Sequence, residues 1–139
     1  MFLLDTNVIS ELRRKSRLDA NVRAWSQSIP FEDLYISVVT VMEIEQGILI
    51  VGRRDHRQAD ILRAWMTGWL VPRFQARMLA FDVVAAFRCA AMHVPNPKPD
   101  RDSMIAATAL VHGLTIATRN TRDFEECGVP VFNPWLYTP

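Results

Sequence analysis

Short apolar runs alternate along this chain with longer segments whose apolar residues recur every three or four positions. Short apolar runs that stop at polar or glycine residues are typical of buried strands. Five runs predict strands, the third having the weakest pattern: 1–4 (MFLL), 34–38 (LYISV), 77–82 (RMLAFD), 114–118 (LTIAT) and 129–132 (VPVF).

The segments between the runs predict helices, and Asp19 and Asp82 stand where helix N-caps are expected. The predicted helices cover 6–14, 19–28, 40–50, 54–69, 83–92 and 101–113, with one further helical turn in 119–128. Three prolines in "VPNPKPD" at 94–100 predict a loop. Strands separated by helices predict a parallel sheet with right-handed crossovers. We therefore expect one α/β domain spanning 1–139.

The composition is that of a globular protein, with 50% hydrophobic and 22% charged residues among 139. A net charge of +1 gives no strong attraction to nucleic acid or membrane, so an anionic substrate would need a local patch or bound cations. Cys89 and Cys127 lack a CxxC spacing, which is typical of reduced residues. There is no pattern of a signal peptide or membrane span. We expect a cytoplasmic protein that does not bind membranes.

Acidic residues from distant segments are predicted to meet at one edge of the sheet. Asp5 ends the first strand, and Glu43 lies in the helix after the second strand. Asp102 opens the helix after the proline loop, and Asp123 follows the fourth predicted strand. Ligands of open parallel sheets bind beyond the carboxyl ends of the strands, which is where these residues would converge.

Such a cluster predicts a site for divalent cations. Like charges that are not screened repel and raise one another's pKa, and a cation removes that cost. Oxygen ligands without a Cys or His cluster suit Mg²⁺ or Mn²⁺ rather than zinc. Two such ions about 3.5–4 Å apart can clamp the attacking and leaving oxygens of a phosphodiester.

Each acidic residue also has a purely structural interpretation. Asp5 and Asp102 could cap the helices that follow them, and Asp123 could form an Asx turn. Thr40 to Glu43 matches the Thr-x-x-Glu capping box. The functional interpretation therefore depends on the joint placement of these residues and not on any one of them.

Asp102 is distinguished from Asp100 by the helical face it would occupy. On a helix, Asp102 shares a face with Ile105 and Ala106, three and four residues later. That face is apolar and predicted to point inward. Asp100 is predicted to lie outside the helix as a solvated charge.

Four stretches closely resemble the PIN-domain family, in the family's order and over essentially the whole chain: LLDTNVISE, TVMEIEQG, RDSMIAATALVHGLTIATRNTRDF and VPVFNPW. Within that family the sequence most resembles the VapC-type ribonuclease toxins of prokaryotic toxin–antitoxin modules, including the FitB-like branch. The resemblance implies a PIN-like three-layer α/β/α sandwich around a mostly parallel central sheet. It also implies an Mg²⁺- or Mn²⁺-dependent endoribonuclease that hydrolyses RNA phosphodiester bonds.

The resemblance further implies partners and site residues. It implies a homodimer, a cognate antitoxin that inhibits the enzyme and can join it in a hetero-oligomer, and contact with operator DNA only through that antitoxin. The family's four metal-binding acidic residues match Asp5, Glu43, Asp102 and Asp123. Its polar helpers match Thr6 or Asn7, Thr40, Thr118 and Asn120.

The implied mechanism is hydrolysis by a metal-activated water. Asp5 and Asp102 would hold the better-occupied ion, and the other two acidic residues would complete its shell or hold a second, weaker ion. Thr118 and Asn120 would orient the water or a phosphate oxygen. RNA affinity would depend on the ions and on two basic patches, at 13–17 and 53–57.

The helices in the 44–69 region carry more apolar surface than a small sheet covers, which predicts a binding face for a second copy or the antitoxin. On that basis Trp65→Glu is expected to give monomers. The tryptophans are interpreted as packing residues of the core or of a dimer face, and not as surfaces for stacking bases.

Other classes of protein fit less well. A receiver domain would need a Lys after a late strand, but the only lysines are Lys15 and Lys98. A haloacid-dehalogenase phosphatase would need Asp-x-Asp after the first strand, where Asn7 occupies the third position. The remaining alternative is a catalytically weak or inactive PIN-like module that acts mainly as an antitoxin-binding corepressor.

Overall fold

A single parallel sheet organises the computed structural model, which describes all 139 residues. Its strands are β1 (Phe2–Leu4), β2 (Leu34–Ser37), β3 (Met78–Leu79), β4 (Thr115–Ala117) and β5 (Val131–Phe132). The order across the sheet is β3-β2-β1-β4-β5, and every neighbouring pair is parallel. The prediction of a parallel sheet is therefore confirmed. The chain fills one side of β1 before it crosses to the other, so the strand order reverses at β1.

The helices connect these strands. They are α1 (Thr6–Leu12), α2 (Ala20–Ser28), α3 (Val38–Gly52), α4 (His56–Trp65), α5 (Val71–Phe74), α6 (Val83–Met92), α7 (Asp100–His112) and α8 (Thr121–Glu125). A π-helical turn, Met66–Leu70, joins α4 to α5, so the helix predicted to end at residue 69 continues for one more turn. Asp19 and Asp82 cap α2 and α6 by accepting backbone N–H groups, as predicted.

Each face of the sheet carries its own hydrophobic core. Successive side chains of a strand point to opposite faces, so Leu3 and Leu4 enter different cores. Leu4 packs in the same core as Trp25 of α2, together with residues of α1, α3 and the α4–α5 segment. Leu3 and Ile116 pack in the same core as Ile105 of α7. Helices on both faces of the sheet give the three-layer α/β/α architecture that the resemblance to the PIN-domain family implies.

Two helix starts differ from the prediction. Ser37 caps α3, because its hydroxyl accepts the N–H of Val39 at 2.9 Å and the helix begins directly at the end of β2. Thr40 therefore lies inside the helix, fully buried, and its hydroxyl has no hydrogen-bond partner. Asp100 is the first residue of α7 and not a loop residue, since an acidic side chain is favourable in the first turn of a helix.

Candidate active site

Asp5 lies at the carboxyl end of β1, where the strand order reverses. The residue is 7% exposed. Oδ1 accepts the backbone N–H of Thr6 at 2.8 Å and so caps α1, while Oδ2 accepts the hydroxyl of Thr118 at 2.8 Å. The capping interpretation of Asp5 is confirmed, but capping occupies only one of its two oxygens. The other oxygen is held in place by a residue 113 positions away in the chain.

Thr118 follows β4 and is fully buried. Its hydroxyl donates to Asp5 and accepts hydrogen bonds from Nδ2 of Asn7 at 3.3 Å and from the backbone N–H of Asn120 at 3.0 Å. One donor and two acceptor positions exhaust the capacity of a hydroxyl. Thr118 is therefore a positioning residue for Asp5, whereas the sequence-based expectation was that it would contact water or a phosphate oxygen.

Glu43 lies in the second turn of α3 and bridges to α1 and α7. Its Oε1 accepts the hydroxyl of Thr6 at 2.9 Å, and its Oε2 lies 3.8 Å from Nη1 of Arg101. The capping-box interpretation is wrong, because α3 begins at Val38 and Glu43 is too far along the helix to reach its N-cap. The side chain is held instead by contacts between helices that are distant in the sequence.

Asp102 occupies the first turn of α7. Its helical neighbours Ile105 and Ala106 are fully buried, as the face analysis predicts. The N-cap interpretation is wrong, because α7 begins two residues earlier and Pro99 occupies the N-cap position. Burial raises the pKa of Asp102 to about 6, with further contributions from the charges of Asp5, Asp123 and Glu43.

Asp123 lies in the first turn of α8 and is exposed. The Asx-turn interpretation is wrong, because its carboxylate accepts no hydrogen bond and the residue is helical. Its charge nevertheless raises the pKa of both Asp5 and Asp102, which places it electrostatically within the cluster. It is the one acidic residue of the predicted set that does not line the cleft described next.

A polar cleft of about 300 Å³ opens between β1, α1, α3 and α7, and none of the residues that line it is hydrophobic. The lining residues are Asp5, Thr6, Asn7, Ser10, Glu43, Asp102 and Asn120. Ser10 and the neighbouring Arg101 were missed from the sequence. Ser10 could have been found, because it lies one helical turn after Thr6 on the same face of α1.

Burial and neighbouring charges disfavour the ionised forms of Asp5 and Asp102. Burial raises the pKa of Asp5, outweighing the hydrogen bonds from Thr118 and Thr6 that lower it, and the charges of Glu43 and Asp123 raise it further. Only one of the four carboxylates lies within 4 Å of a cationic side chain, namely Glu43 beside Arg101.

This donor set consists of oxygen atoms alone and carries uncompensated negative charge, which fits a hard divalent cation. As the side chains stand, no three acidic, His or Cys groups are arranged to hold an ion. The carboxylates would have to lie closer together to bind one; of these residues, Asp102 is half-buried and Asp123 is exposed.

Residues 2–129 match the family model described as the PIN domain. The chain belongs to the PIN-domain family. Three relatives align with this PIN domain over nearly their full length. Plasmid stability protein StbB from Pseudomonas syringae pv. tomato is 40% identical, with 97% of this chain and 99% of that protein covered. Toxin FitB from Neisseria gonorrhoeae is 38% identical with the same coverage. VapC ribonuclease Y4jK from Sinorhizobium fredii is 36% identical, covering 97% of this chain and 98% of that protein.

Solved structures agree with the sequence relatives. The crystal structure of FitAcB from Neisseria gonorrhoeae superposes with a TM-score of 0.88 at 37% identity, covering 98% of this chain and 99% of that one. A structure of FitAB bound to a DNA fragment gives the same TM-score at 36% identity, covering 100% and 99%. The expected PIN-like sandwich is confirmed by these matches.

The surface of this PIN domain carries two exposed apolar regions. The region predicted from the sequence includes Leu49 and Ile61, which are 59% and 54% exposed. A second region, missed from the sequence, lies on α6, where Val83, Val84 and Phe87 are 71%, 61% and 77% exposed. No helix combines the length and apolar character needed to cross a bilayer.

Proposed function

We propose that this PIN domain is the toxin of a toxin–antitoxin module and acts as a metal-dependent endoribonuclease. The observation that carries the proposal is that Asp5, Glu43 and Asp102, from three distant segments, line one polar cleft where the strand order reverses. The near full-length relatives named as a toxin and as a ribonuclease support the same function.

In this proposal, Asp5 and Asp102 hold an Mg²⁺ or Mn²⁺ ion, and Glu43 and Asp123 complete its shell or hold a second ion. A divalent ion bound there supplies charge neutralisation and lowers the pKa of water to give a nucleophile for a phosphodiester. The raised pKa values of Asp5 and Asp102 are the expected signature of carboxylates that need such a charge beside them.

The chain's own residues prepare the cleft for this chemistry. Thr118 and the backbone of Thr6 orient the two oxygens of Asp5, and the hydroxyl of Thr6 orients Glu43. Asn120 is exposed and lines the cleft, so its side-chain amide can donate a hydrogen bond to a non-bridging phosphate oxygen. Groups held in place before the substrate arrives cost no reorganisation during the reaction.

The proposal also covers assembly. We infer a homodimer formed through α6, because Val83, Val84 and Phe87 form the most exposed apolar cluster on any helix. A cognate antitoxin would bind elsewhere on the same subunit. Contact with operator DNA would come through that antitoxin, because the chain's net charge of +1 provides little attraction of its own to DNA.

Cleavage assays test the catalytic part of the proposal. Purified protein is incubated with structured RNAs in Mg²⁺, Mn²⁺ or EDTA, beside the variants Asp102→Asn and Asp100→Asn. Asp100 is the matched control, because it is an exposed acidic residue in the same helical turn that does not line the cleft. We expect metal-dependent cuts that persist in Asp100→Asn and are lost in Asp102→Asn. Cleavage that survives EDTA, or that survives Asp102→Asn, contradicts the mechanism.

A second candidate function follows from the spacing of the acidic side chains, no three of which are arranged to hold an ion as they stand. It is a catalytically weak or inactive module that acts mainly as an antitoxin-binding corepressor. This alternative predicts tight antitoxin binding and repression, but no cleavage of any RNA at saturating Mn²⁺. The same assay therefore separates the two functions.

A further inference from the structure

A groove runs from the acidic cleft between α1 and the α3–α4 pair. The cleft shares Thr6, Ser10 and Glu43 with a second cavity of about 280 Å³. That cavity shares Arg13 and Trp65 with a third cavity of about 390 Å³ at the far end of α1. We refer to the second and third cavities together as the α1/α4 groove.

The charges along the α1/α4 groove are separated. Its only acidic lining residue is Glu43, at the cleft end. The far end carries Arg13 and Lys15, and neither forms a salt bridge. The adjacent Arg14 differs, because it pairs with Glu11 at 3.1 Å and does not line the groove. Two unpaired cations thus line the groove that leads away from a cleft proposed to hold a phosphate.

Flat aromatic surface is available beside these cations. Trp65 and Trp69 are half-buried, and their rings stack at 16° with centroids 6.0 Å apart. The guanidinium carbon of Arg13 lies 6.0 Å from the centroid of the Trp65 ring. That distance is a cation–π contact. A base between the two groups would need about 7–8 Å, the sum of two contacts of about 3.5–4 Å, so a base reaches the ring only when the guanidinium moves aside.

Two glycines border the α1/α4 groove at positions where packing against neighbouring atoms does not require a glycine. A Cβ atom added at Gly47 or Gly68 would meet no heavy atom within 4 Å. Neither glycine has the positive φ that would require it, unlike Gly113 and Gly128. Gly68 lines the cavity together with Trp65 and Trp69, so a larger residue at this position has open space to occupy there.

We propose that the α1/α4 groove binds the single-stranded RNA segment next to the scissile phosphate, with one base stacked on Trp65 beside Arg13. This inference rests on the proposed ribonuclease function. A cationic groove with an aromatic platform is the usual means of binding single strands, since every base has a stacking face. Arg13 and Lys15 provide the charge, and the exposed part of Trp65 provides the platform. The rest of Trp65 packs against the core, as expected from the sequence.

Binding of a short fluorescein-labelled single-stranded RNA, measured by anisotropy, tests the groove. The full chain carries Asp102→Asn throughout so that the RNA stays intact. Arg13→Ala removes the cation above the ring, and Gly68→Leu fills the cavity. Each is expected to raise Kd about tenfold, the size of effect that loss of one stacked base gives. Arg88→Ala is the control, because this exposed arginine of α6 does not line the groove, and Kd should stay within about twofold of its parent.

Lys15 offers a variant whose fold is not at risk. Its φ of 52° lies in the left-handed region, which costs a lysine conformational energy and costs glycine none. Lys15→Gly should therefore keep its melting temperature while the slope of log Kd against log salt falls by about 0.7, the value for one phosphate contact on a single strand. An unchanged slope overturns the assignment of Lys15 to the RNA backbone.

The base itself is located with 2-aminopurine placed at successive positions of the RNA. We expect quenching at one position, and its loss in Trp65→Leu. Quenching that is unaffected by Trp65→Leu overturns the stacking proposal. Groove variants that lower the sedimenting mass and leave the Kd for RNA unchanged assign the groove to a protein partner and overturn it as well. Metal-dependent cleavage by the unsubstituted chain leaves the proposed function standing in either case, whereas absence of both binding and cleavage refutes that function.

Discussion

Replacing Asp102 by Asn should stabilise the metal-free protein. The carboxylate of Asp102 accepts no hydrogen bond, and its ionised form is disfavoured by burial and by the charges of Asp5, Asp123 and Glu43. Asparagine has nearly the same size and carries no charge. The substitution therefore removes the cost of burying a charge, and the repulsion that adds to that cost, without removing a hydrogen bond.

The size of the effect follows from the pKa. A rise from 3.8 to about 6 corresponds to at most about 3 kcal/mol of folding free energy lost when the group ionises. Because Asp102 is half-buried, solvent screens part of this, and we expect about 1–2 kcal/mol. For a chain of this length that is a rise in Tm of roughly 3–8 °C.

The sign of the pH dependence is distinctive. A carboxyl whose pKa is raised by folding favours the native state below its unfolded pKa, and that advantage is lost as the pH rises through the folded pKa. Wild-type stability should therefore fall between 3.8 and about 6 relative to Asp102→Asn, and the difference should stay constant above about pH 7.

Thermal unfolding in EDTA at about pH 4 and about pH 7.5 measures this difference. Adding Mn²⁺ at the higher pH should reverse the order, because an ion that binds only the native wild type stabilises it by mass action. A variant less stable than wild type at both pH values, or a difference independent of pH, would refute the claim that burial and the neighbouring charges disfavour the ionised form of Asp102.

Asp5→Asn should stabilise the metal-free protein less than Asp102→Asn does, although removing the charge of Asp5 is favourable in itself. The Asp5 carboxylate accepts the Thr6 N–H on one oxygen and the Thr118 hydroxyl on the other. An asparagine at this position keeps one acceptor but turns an NH₂ group toward one of these donors. The gain from lost repulsion is therefore offset by a lost hydrogen bond, worth about 1 kcal/mol.

Other substitutions test other parts of the structure. Phe87→Glu should convert the dimer to monomers in sedimentation, whereas Ile61→Glu should not; the opposite result would place the dimer face on α4. Glu11→Ala should lower the unfolding free energy in urea by about 1–3 kcal/mol, because the buried carboxylate accepts the N–H of Asp19 at 2.8 Å. Asp123→Asn should raise the Mn²⁺ concentration needed for cleavage but abolish less activity than Asp102→Asn, since Asp123 is exposed at the edge of the site. Equal losses in those two variants would contradict that order.

The features predicted correctly from the sequence are those that depend on local patterns. Apolar runs marked the strands, and Asp19 and Asp82 marked helix starts, because a cap needs only its own next three residues. The inward face of Asp102 followed from helical spacing alone.

The errors occurred where contacts between distant segments decide the outcome. Glu43 matched a capping box, but α3 starts at the end of β2. The residue therefore contacts Thr6 of α1 and Arg101 of α7 instead of capping its own helix. Thr118 has a role set by Asn7 and Asp5, more than a hundred residues away. The α6 surface escaped notice because Val83, Val84 and Phe87 have the spacing of a buried face, and only packing shows which side is covered.

Asp5 both caps α1 and lines the acidic cleft, and this constrains how a domain of this kind can lose its activity over evolutionary time. Asp102 accepts no hydrogen bond, so once catalysis is no longer selected almost any polar residue can replace it. Asp5 also starts the first helix, and only Asn, Ser or Thr can take over that task at small cost. Inactive descendants should accordingly vary freely at position 102 and keep Asp, Asn, Ser or Thr at position 5.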